Sequence, residues 1–468
     1  MFAEMIGALS NFMYGHLLII MLLFTGLYYT FRTGFVQLRL LKETIRVILE
    51  KPEGKESVSS FHALMVSTAS RVGTGNIIGI STAICLGGYG AVFWMWVIAL
   101  IGGASAFIES TLAQIYKKRG EHGSYGGPAY YIEAALNSRF LAVIFAVALI
   151  MTYGIGFNML CAYNLQSTFA AYSFYNPETT PWIIGGVLAI MVGYFLMGGA
   201  RRVIKATSTL VPLMGLIYIA VAFVLTVMNI NLVPGILARI FSEAFDFQTI
   251  FAGFAGSCVM YGVKRGLYSN EAGVGSAPNA AASADVSHPV KQGLVQMLSV
   301  FIDTLLICTA TAFLCMSSGI APTPELAGAP YVQASLAVTL GDGAKTFITV
   351  SMVLFAFTTL LGNLYYVDNC FAYILKRVPG KTFTTVYRII ACAVIYVGAG
   401  SSMDMMWNTS DVLMGFMAII NLPVIIILGG PALKALDDYV AQRNAGKNPV
   451  FKASSIGMDA SKLDYWKD

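Results

Sequence analysis

The ionisable residues that stand in apolar surroundings are Arg71, Glu109, Lys264, Arg265, Glu271, Asp303, Asp368 and Asp411. A charge in such a setting is costly unless it is paired or hydrated, so each one marks a site or a structural pair. Lys264, Arg265 and Glu271 are expected near the cytoplasmic end of their segment, as snorkelling or gating charges. Arg71 calls for a carboxylate partner, with Asp303 or Glu271 as candidates. None of these residues forms a catalytic set with the histidines, because His16, His62, His122 and His288 are scattered over different connections and segment ends. The cysteines Cys85, Cys161, Cys258, Cys308, Cys315, Cys370 and Cys392 lie in or at the ends of apolar runs with no CxxC spacing, which reads as reduced thiols. Residues 123–128 are glycine-rich but lack the GxxxxGK[ST] pattern of a phosphate loop. An intramembrane enzyme would need a nucleophile with a base or a metal set, and neither is present in the sequence.

The chemistry that remains belongs to the backbone. The stretch Ala69-Ser70-Arg71-Val72-Gly73-Thr74-Gly75-Asn76 puts two glycines, an arginine and an asparagine in the middle of an apolar segment. Glycine weakens a helix there, and a broken helix at bilayer depth is tolerated only where its freed groups line a cavity. Carbonyls ending the first half favour a cation, and N–H groups opening the second half favour an anion. Polar and glycine-rich residues interrupt a later segment as well: Gly253, Gly256 and Gly262, then Lys264-Arg265-Gly266, then Ser269 to Ser276.

These interruptions must be carried by membrane helices. Of 468 residues, 57% are hydrophobic and 11% charged, and the mean hydropathy is +0.71, which excludes one water-soluble core. The net charge of +5 is small and its basic residues sit in short connections, so nucleic acid is excluded as a partner. Apolar stretches long enough to cross a bilayer centre near Leu23, Ala69, Ala99, Ile155, Ala189, Ala220, Val259, Leu305, Phe355, Ala393 and Ile420. The expected fold is all-α and integral to a membrane, with about eleven transmembrane helices. The first stretch lacks a basic flank and a cleavage pattern, so it reads as a retained helix.

Every second connection is basic: Arg32 to Lys55, Lys117 to Arg119, Arg201 to Lys205, and Lys376 to Arg388. The positive-inside rule then places the N-terminus outside and the C-terminus in the cytoplasm, in a multi-pass protein of the cell (inner) membrane. Leaving out the first helix and its basic connection, 1–57, the interrupted spans head two halves of five helices, 58–230 and 231–432, of opposite orientation. The polar tail, 433–468, reads as a short amphipathic or flexible cytoplasmic extension. Corresponding broken helices in an inverted repeat point to a transport site near the midplane. A channel would instead show charged or carbonyl rings.

Gly73-Thr74-Gly75-Asn76, then Gly87-Gly88-Tyr89-Gly90-Ala91-Val92-Phe93-Trp94-Met95-Trp96, and Arg265 to Gly273 resemble the alanine or glycine:cation symporter family, over about Phe61 to Leu428. The resemblance implies a leucine-transporter-like inverted repeat preceded by one extra helix, and amino-acid uptake driven by a sodium gradient. It assigns the substrate to Gly73, Thr74, Gly75 and Asn76, with Gly256 and Ser257 from the other interrupted span, and sodium to Ala69, Val72, Thr358 and Thr359. Oxygen ligands of this kind suit a hard cation.

The chain departs from the family's pattern in the pocket. Cys161 stands where many members have a glutamine, and Asn363 follows Thr359-Leu360-Leu361-Gly362 where a tryptophan is usual. Thr359, Asn363 and Val367 share a helical face, as do Cys161 and Thr168. An amide in place of a ring makes the pocket more open and polar, so a substrate larger or more polar than alanine is expected. The opposing possibility is that Asn363 bonds to a neighbouring helix. Coupling to protons instead of sodium would require an essential core carboxylate such as Asp303 or Asp368.

Overall fold

The computed structural model describes residues 2–50, 58–120, 123–246 and 257–466. Its elements in chain order are α1 (Ala3–Arg32), α2 (Ser60–Arg71), α3 (Ile78–Gly87), α4 (Gly90–Ile115), the hairpin strands β1 (Lys118–Gly120) and β2 (Gly123–Tyr125), α5 (Pro128–Leu136), α6 (Arg139–Ala171), α7 (Thr180–Met197), α8 (Gly199–Met228) and α9 (Val233–Ala244). There follow α10 (Cys258–Asn270), α11 (Pro278–Ala281), α12 (Pro289–Met316), α13 (Ala329–Leu340), α14 (Gly343–Leu375), α15 (Lys381–Ala399) and α16 (Met403–Asn444).

Among the described residues, nine helices are long and apolar enough to cross a membrane. They coincide with the expected spans except those centred on Ala69 and Val259, which are the interrupted ones. The first of these is α2, a break over 72–77, and α3. The second is α10, a break over 271–277, and the short α11.

Among the described residues the second break falls at the end of the expected polar and glycine-rich run, in its Ser269 to Ser276 part. Gly262 lies inside the continuous α10, where an added Cβ would stand 2.6 Å from the Ala91 carbonyl oxygen and from the Trp94 Cβ. That glycine lets α10 press against α4 and does not open the helix. Gly253 and Gly256 lie outside the described residues. The described chain turns at Glu271, Gly273 and Gly275, with φ of +54°, +82° and +90°. Glycine adopts that left-handed backbone without strain, and Glu271 is held there by its surroundings.

The helices around the breaks are buried, while α7, α8 and α15 present apolar faces outward: Ile190 is 75% exposed and Leu216 68%. Large exposed aliphatic faces on helices of this length suit a lipid surround.

Of the amphipathic or flexible extension expected for the tail, the flexible alternative is not what is seen: the tail lies against the helical body. Phe451 N–H donates to the Ser287 carbonyl at 2.9 Å, and Trp466 Nε1 donates to the Gln114 carbonyl at 2.7 Å. The Tyr465 ring sits 3.7 Å from Lys117 Nζ, and burial pushes that lysine down to about 7, with the Asp285 charge acting against it.

Candidate functional site

At the first break the freed backbone groups have specific partners. In an unbroken helix the Gly73 N–H would bond to the Ala69 carbonyl. It donates instead to Asn76 Oδ1 at 2.8 Å, and the Thr359 hydroxyl takes its place on Ala69 O at 3.0 Å. A Cβ on Gly73 would stand 2.2 Å from that hydroxyl, so only glycine lets α14 come this close. One turn of 3₁₀ helix, Thr74–Asn76, then leads into α3, and its opening N–H groups have no acceptor within their own turn.

Thr358 faces another way. Its hydroxyl donates to its own helix, to the Leu354 carbonyl at 3.0 Å and the Phe355 carbonyl at 3.2 Å. One turn on from Thr359, Asn363 accepts from the Ser70 hydroxyl at 2.7 Å and donates to Asn158 Oδ1 at 3.0 Å. Val367 follows against Gly154. Across the break, Asn164 Nδ2 donates to the Thr74 hydroxyl at 3.0 Å, and the Cys161 thiol donates to the Ala356 carbonyl at 3.5 Å.

Carboxylates tie the second break to the first. Asp303 on α12 receives Asn76 Nδ2 at 2.7 Å, Ser269 Oγ at 2.7 Å and Thr304 Oγ1 at 2.8 Å. It thus joins a residue of one break to the last turn before the other. Glu271 accepts from Ser276 at 2.6 Å and lies 3.4 Å from Ser70 Oγ. Glu109 accepts from the Gly273 N–H at 3.3 Å and from Asn421 Nδ2 at 2.8 Å, and Asn421 also donates to the Gly273 carbonyl. These bonds satisfy backbone that the break has released.

Arg71 lies among these acids, and its charge acts on Glu109, Glu271 and Asp303. The expected close carboxylate partner is not formed: its guanidinium donates to the Gln296 carbonyl at 3.2 Å, and Nε and Nη2 have no hydrogen-bond partner among the described residues. The three carboxylates are engaged elsewhere, Glu109 by amide N–H groups, Glu271 by hydroxyls and Asp303 by both.

Lys264 and Arg265 lie on the opposite face from the expected one. Arg265 Nη2 meets Asp411 Oδ2 at 2.7 Å, and Lys264 Nζ lies 3.4 Å from the same oxygen and 3.4 Å from Asn11 Oδ1 in the first turns of α1. They belong to the half of the span before the break, on the N-terminal side of the bundle, away from the basic connections. The Arg265 guanidinium lies 4.0 Å from the Trp407 ring centre, and Trp407 packs on Tyr268 at 4.9 Å. Tyr268 lies against Gly75, where a Cβ would stand 2.6 Å from the ring. Above this stack is a cavity of about 210 Å³ lined by Asn11, Lys264, Arg265, Asp404 and Trp407.

Two helices broken inside the bundle, with released backbone groups met by polar side chains, are the arrangement of a carrier, and the comparisons agree. Residues 1–453 match the model of the sodium:alanine symporter family. The chain belongs to that family. It is 44% identical to the Bacillus subtilis protein named "Probable sodium/glutamine symporter GlnT", over 96% of this chain and 93% of that one. It is 37% identical to the sodium/alanine symporter AgcS of Methanococcus maripaludis, over 96% and 99%. The fold is that of MhsT, solved in complex with L-phenylalanine, with a TM-score of 0.53, 16% identity, and coverage of 88% of this chain and 93% of that one. The protein is thus a secondary transporter and not an enzyme.

In this symporter, Gly73, Thr74, Gly75, Asn76, Ala69, Val72, Thr359, Asn363, Cys161 and Asp303 come together around the two breaks. Thr168 does not join them, since its hydroxyl donates to the Leu165 carbonyl at 2.7 Å and its carbonyl accepts from Gln333. Ser257 caps α10, accepting from the Met260 N–H at 3.3 Å, and is a helix start. Gly256 lies outside the described residues. Asp368 pairs with Arg388 at 3.7 Å, towards the basic face. The sequence reading passed over Asn158, Asn164, Tyr268 and Trp407. The signal for the amides was there: Asn158, Cys161 and Asn164 recur every third residue on an otherwise apolar helix, which puts them on neighbouring positions of one surface.

Proposed function

We propose that this symporter couples sodium entry to uptake of a neutral amino acid, of the alanine and glycine class or larger and polar, by alternating access of a midplane site. The observation that carries this reading is the Thr359 hydroxyl resting on the released Ala69 carbonyl. Sodium takes the Ala69 and Val72 carbonyls and the Thr359 hydroxyl, and Thr358 contributes only by giving up its bonds to Leu354 and Phe355. The amino acid's carboxylate lies against the N–H groups of Thr74 and Gly75, where the opening dipole of α3 favours an anion. Its side chain points towards Cys161, Asn158, Asn363 and Val367. The name of the GlnT relative supports a polar substrate, whereas the Asn363 amide is taken up by Ser70 and Asn158 of neighbouring helices, the possibility set against it in the sequence. The family's description supports alanine.

The Lys264–Arg265–Asp411 cluster with Trp407 and Tyr268 serves as the gate on the N-terminal face, which the charge of the connections makes the outer face. Residues 58–230 and 231–432 act as the inverted halves, with 1–57 before them and 433–468 after. Proton coupling is the second reading, and the Asp303 carboxylate between the two breaks is the observation that favours it.

Competition of labelled alanine and glutamine uptake by the common neutral amino acids, in proteoliposomes, tests the substrate. Inhibition by glutamine or asparagine at least as strong as by alanine is expected. Strict preference for alanine and glycine, unchanged in Asn363→Ala, would remove the polar assignment.

A further inference from the structure

On the face of the bundle that carries the basic connections, α5, the start of α6, the end of α14 and the start of α15 enclose a cavity of about 640 Å³. Its charge is strongly one-sided. Glu133 is neutralised within it by Arg139 at 3.2 Å, and Asp368 by Arg388 at 3.7 Å. Lys118, Lys376 and Arg377 line the same cavity with no acidic group within 4.0 Å among the described residues. Arg388, with a side chain only 12% exposed, keeps its Nε buried and without a hydrogen-bond partner. A buried guanidinium N–H left open in a basic cavity calls for an oxyanion.

A second cavity, of about 300 Å³, runs along the same pair of helices towards the middle of the membrane. It is lined by neighbours in sequence of the first cavity's residues: Val367 beside Asp368, Phe371 beside Ala372, Phe383 beside Thr384. Its lining is apolar apart from Tyr387, continues past Val386 and Ile390, and opens outward, since Val386 is 53% and Ile390 57% exposed. At its inner end are Gly154 and Val367, one turn from the Asn158–Asn363 pair of the transport site.

A basic chamber on the basic face lies next to a lipid-facing apolar groove on the same pair of helices, and the two together have the polarity of one kind of molecule. We propose that this is a binding site for an anionic phospholipid. The phosphate sits among Arg388, Arg377 and Lys376, and one acyl chain lies in the α14–α15 groove, against the back wall of the transport site. Basic pockets between helices on the basic face suit anionic headgroups. The groove, facing the membrane, rules against a soluble anion as the main occupant.

The test uses the full chain, purified in a neutral detergent, with its melting temperature followed as lipid is added. Phosphatidylglycerol, phosphatidylcholine of the same chains, and inorganic phosphate are the probes. Phosphatidylglycerol is expected to raise the melting temperature where the other two do not. Lys376 and Arg377 are exposed, so the double variant K376Q/R377Q should fold normally and need about 30-fold more phosphatidylglycerol for the same shift, from the loss of two surface charges. Val386→Trp, which fills the groove and leaves the charges in place, should weaken the response as well. Equal stabilisation by phosphatidylcholine, an equal response to inorganic phosphate alone, or a phosphatidylglycerol response unchanged in the double variant would each overturn the proposal.

Discussion

Thr358 and Thr359 are adjacent on one helix and chemically identical, yet they face different partners, and this difference can be measured. Thr359→Ala removes the hydroxyl that meets the Ala69 carbonyl and should raise the sodium concentration for half-maximal uptake by about tenfold or more, the usual worth of one hydrogen-bonding oxygen to a charge. Thr358→Ala removes a hydroxyl bonded within its own helix and should change that value much less. Equal effects of the two substitutions would argue against the assignment. Asp303→Asn distinguishes the two coupling ions: uptake that loses pH dependence but keeps its sodium requirement would place protons at Asp303, whereas unchanged pH dependence would exclude it. At this scale the sequence was informative where a backbone need dictates a residue type, as in Gly73 to Asn76. It was uninformative about Thr358 against Thr359, because a helical rotation of one residue decides which hydroxyl faces the break. Asn363 shows the same limit. Its polarity was legible, but its bonds to Ser70 and Asn158 depend on how close α2 and α6 approach α14.

Helix breaks and helix packing both use glycine, so a glycine run alone does not locate a break. The break after Arg71 was legible because Gly73 and Gly75 coincide with polar Thr74 and Asn76. The other lay within a longer polar run that did not fix its place, because Gly262 packs against α4, while the turn is made by Glu271 with Gly273 and Gly275. Lys264 and Arg265, expected at the cytoplasmic end of that run, lie before the turn, beside Asn11 and Asp411. Their shared acid provides a test of the gate element. Asp411→Asn leaves two buried cations without their counter-charge and should cost about 3–5 kcal/mol of stability, read as a lowered melting temperature that Lys264→Met in the same chain partly restores. A variant as stable as the parent would show that the pair carries no such load. The tail gives a pH prediction. Lys117 is held down to about 7 in the docked state by burial, so docking releases a proton. Docking should therefore strengthen as pH rises from about 7 towards the ordinary lysine range, and be weakest and level below about 7. Limited proteolysis of the tail at pH 7 and pH 9 should show slower cleavage at the higher pH, and the reverse order would contradict the assignment.

The arrangement of the whole bundle follows from two long-range patterns, hydrophobic length and the alternation of basic connections, and both are visible in the sequence because the bilayer imposes them on every span. What the sequence left out is how the two breaks meet. The bond from Asn76 to Asp303 to Ser269 spans residues far apart in the chain, and only the folded bundle makes them neighbours. On the proposed sodium assignment that link connects the ion site at one break to the other, as coupled transport requires. The direct measurement is accumulation of labelled amino acid in proteoliposomes under an inward sodium gradient, for the parent chain and Thr359→Ala, with potassium as the control cation. The account predicts accumulation by the parent only with sodium, and its loss in Thr359→Ala with recovery at higher sodium. Accumulation indifferent to sodium, or unaltered by Thr359→Ala at every sodium concentration, would contradict it.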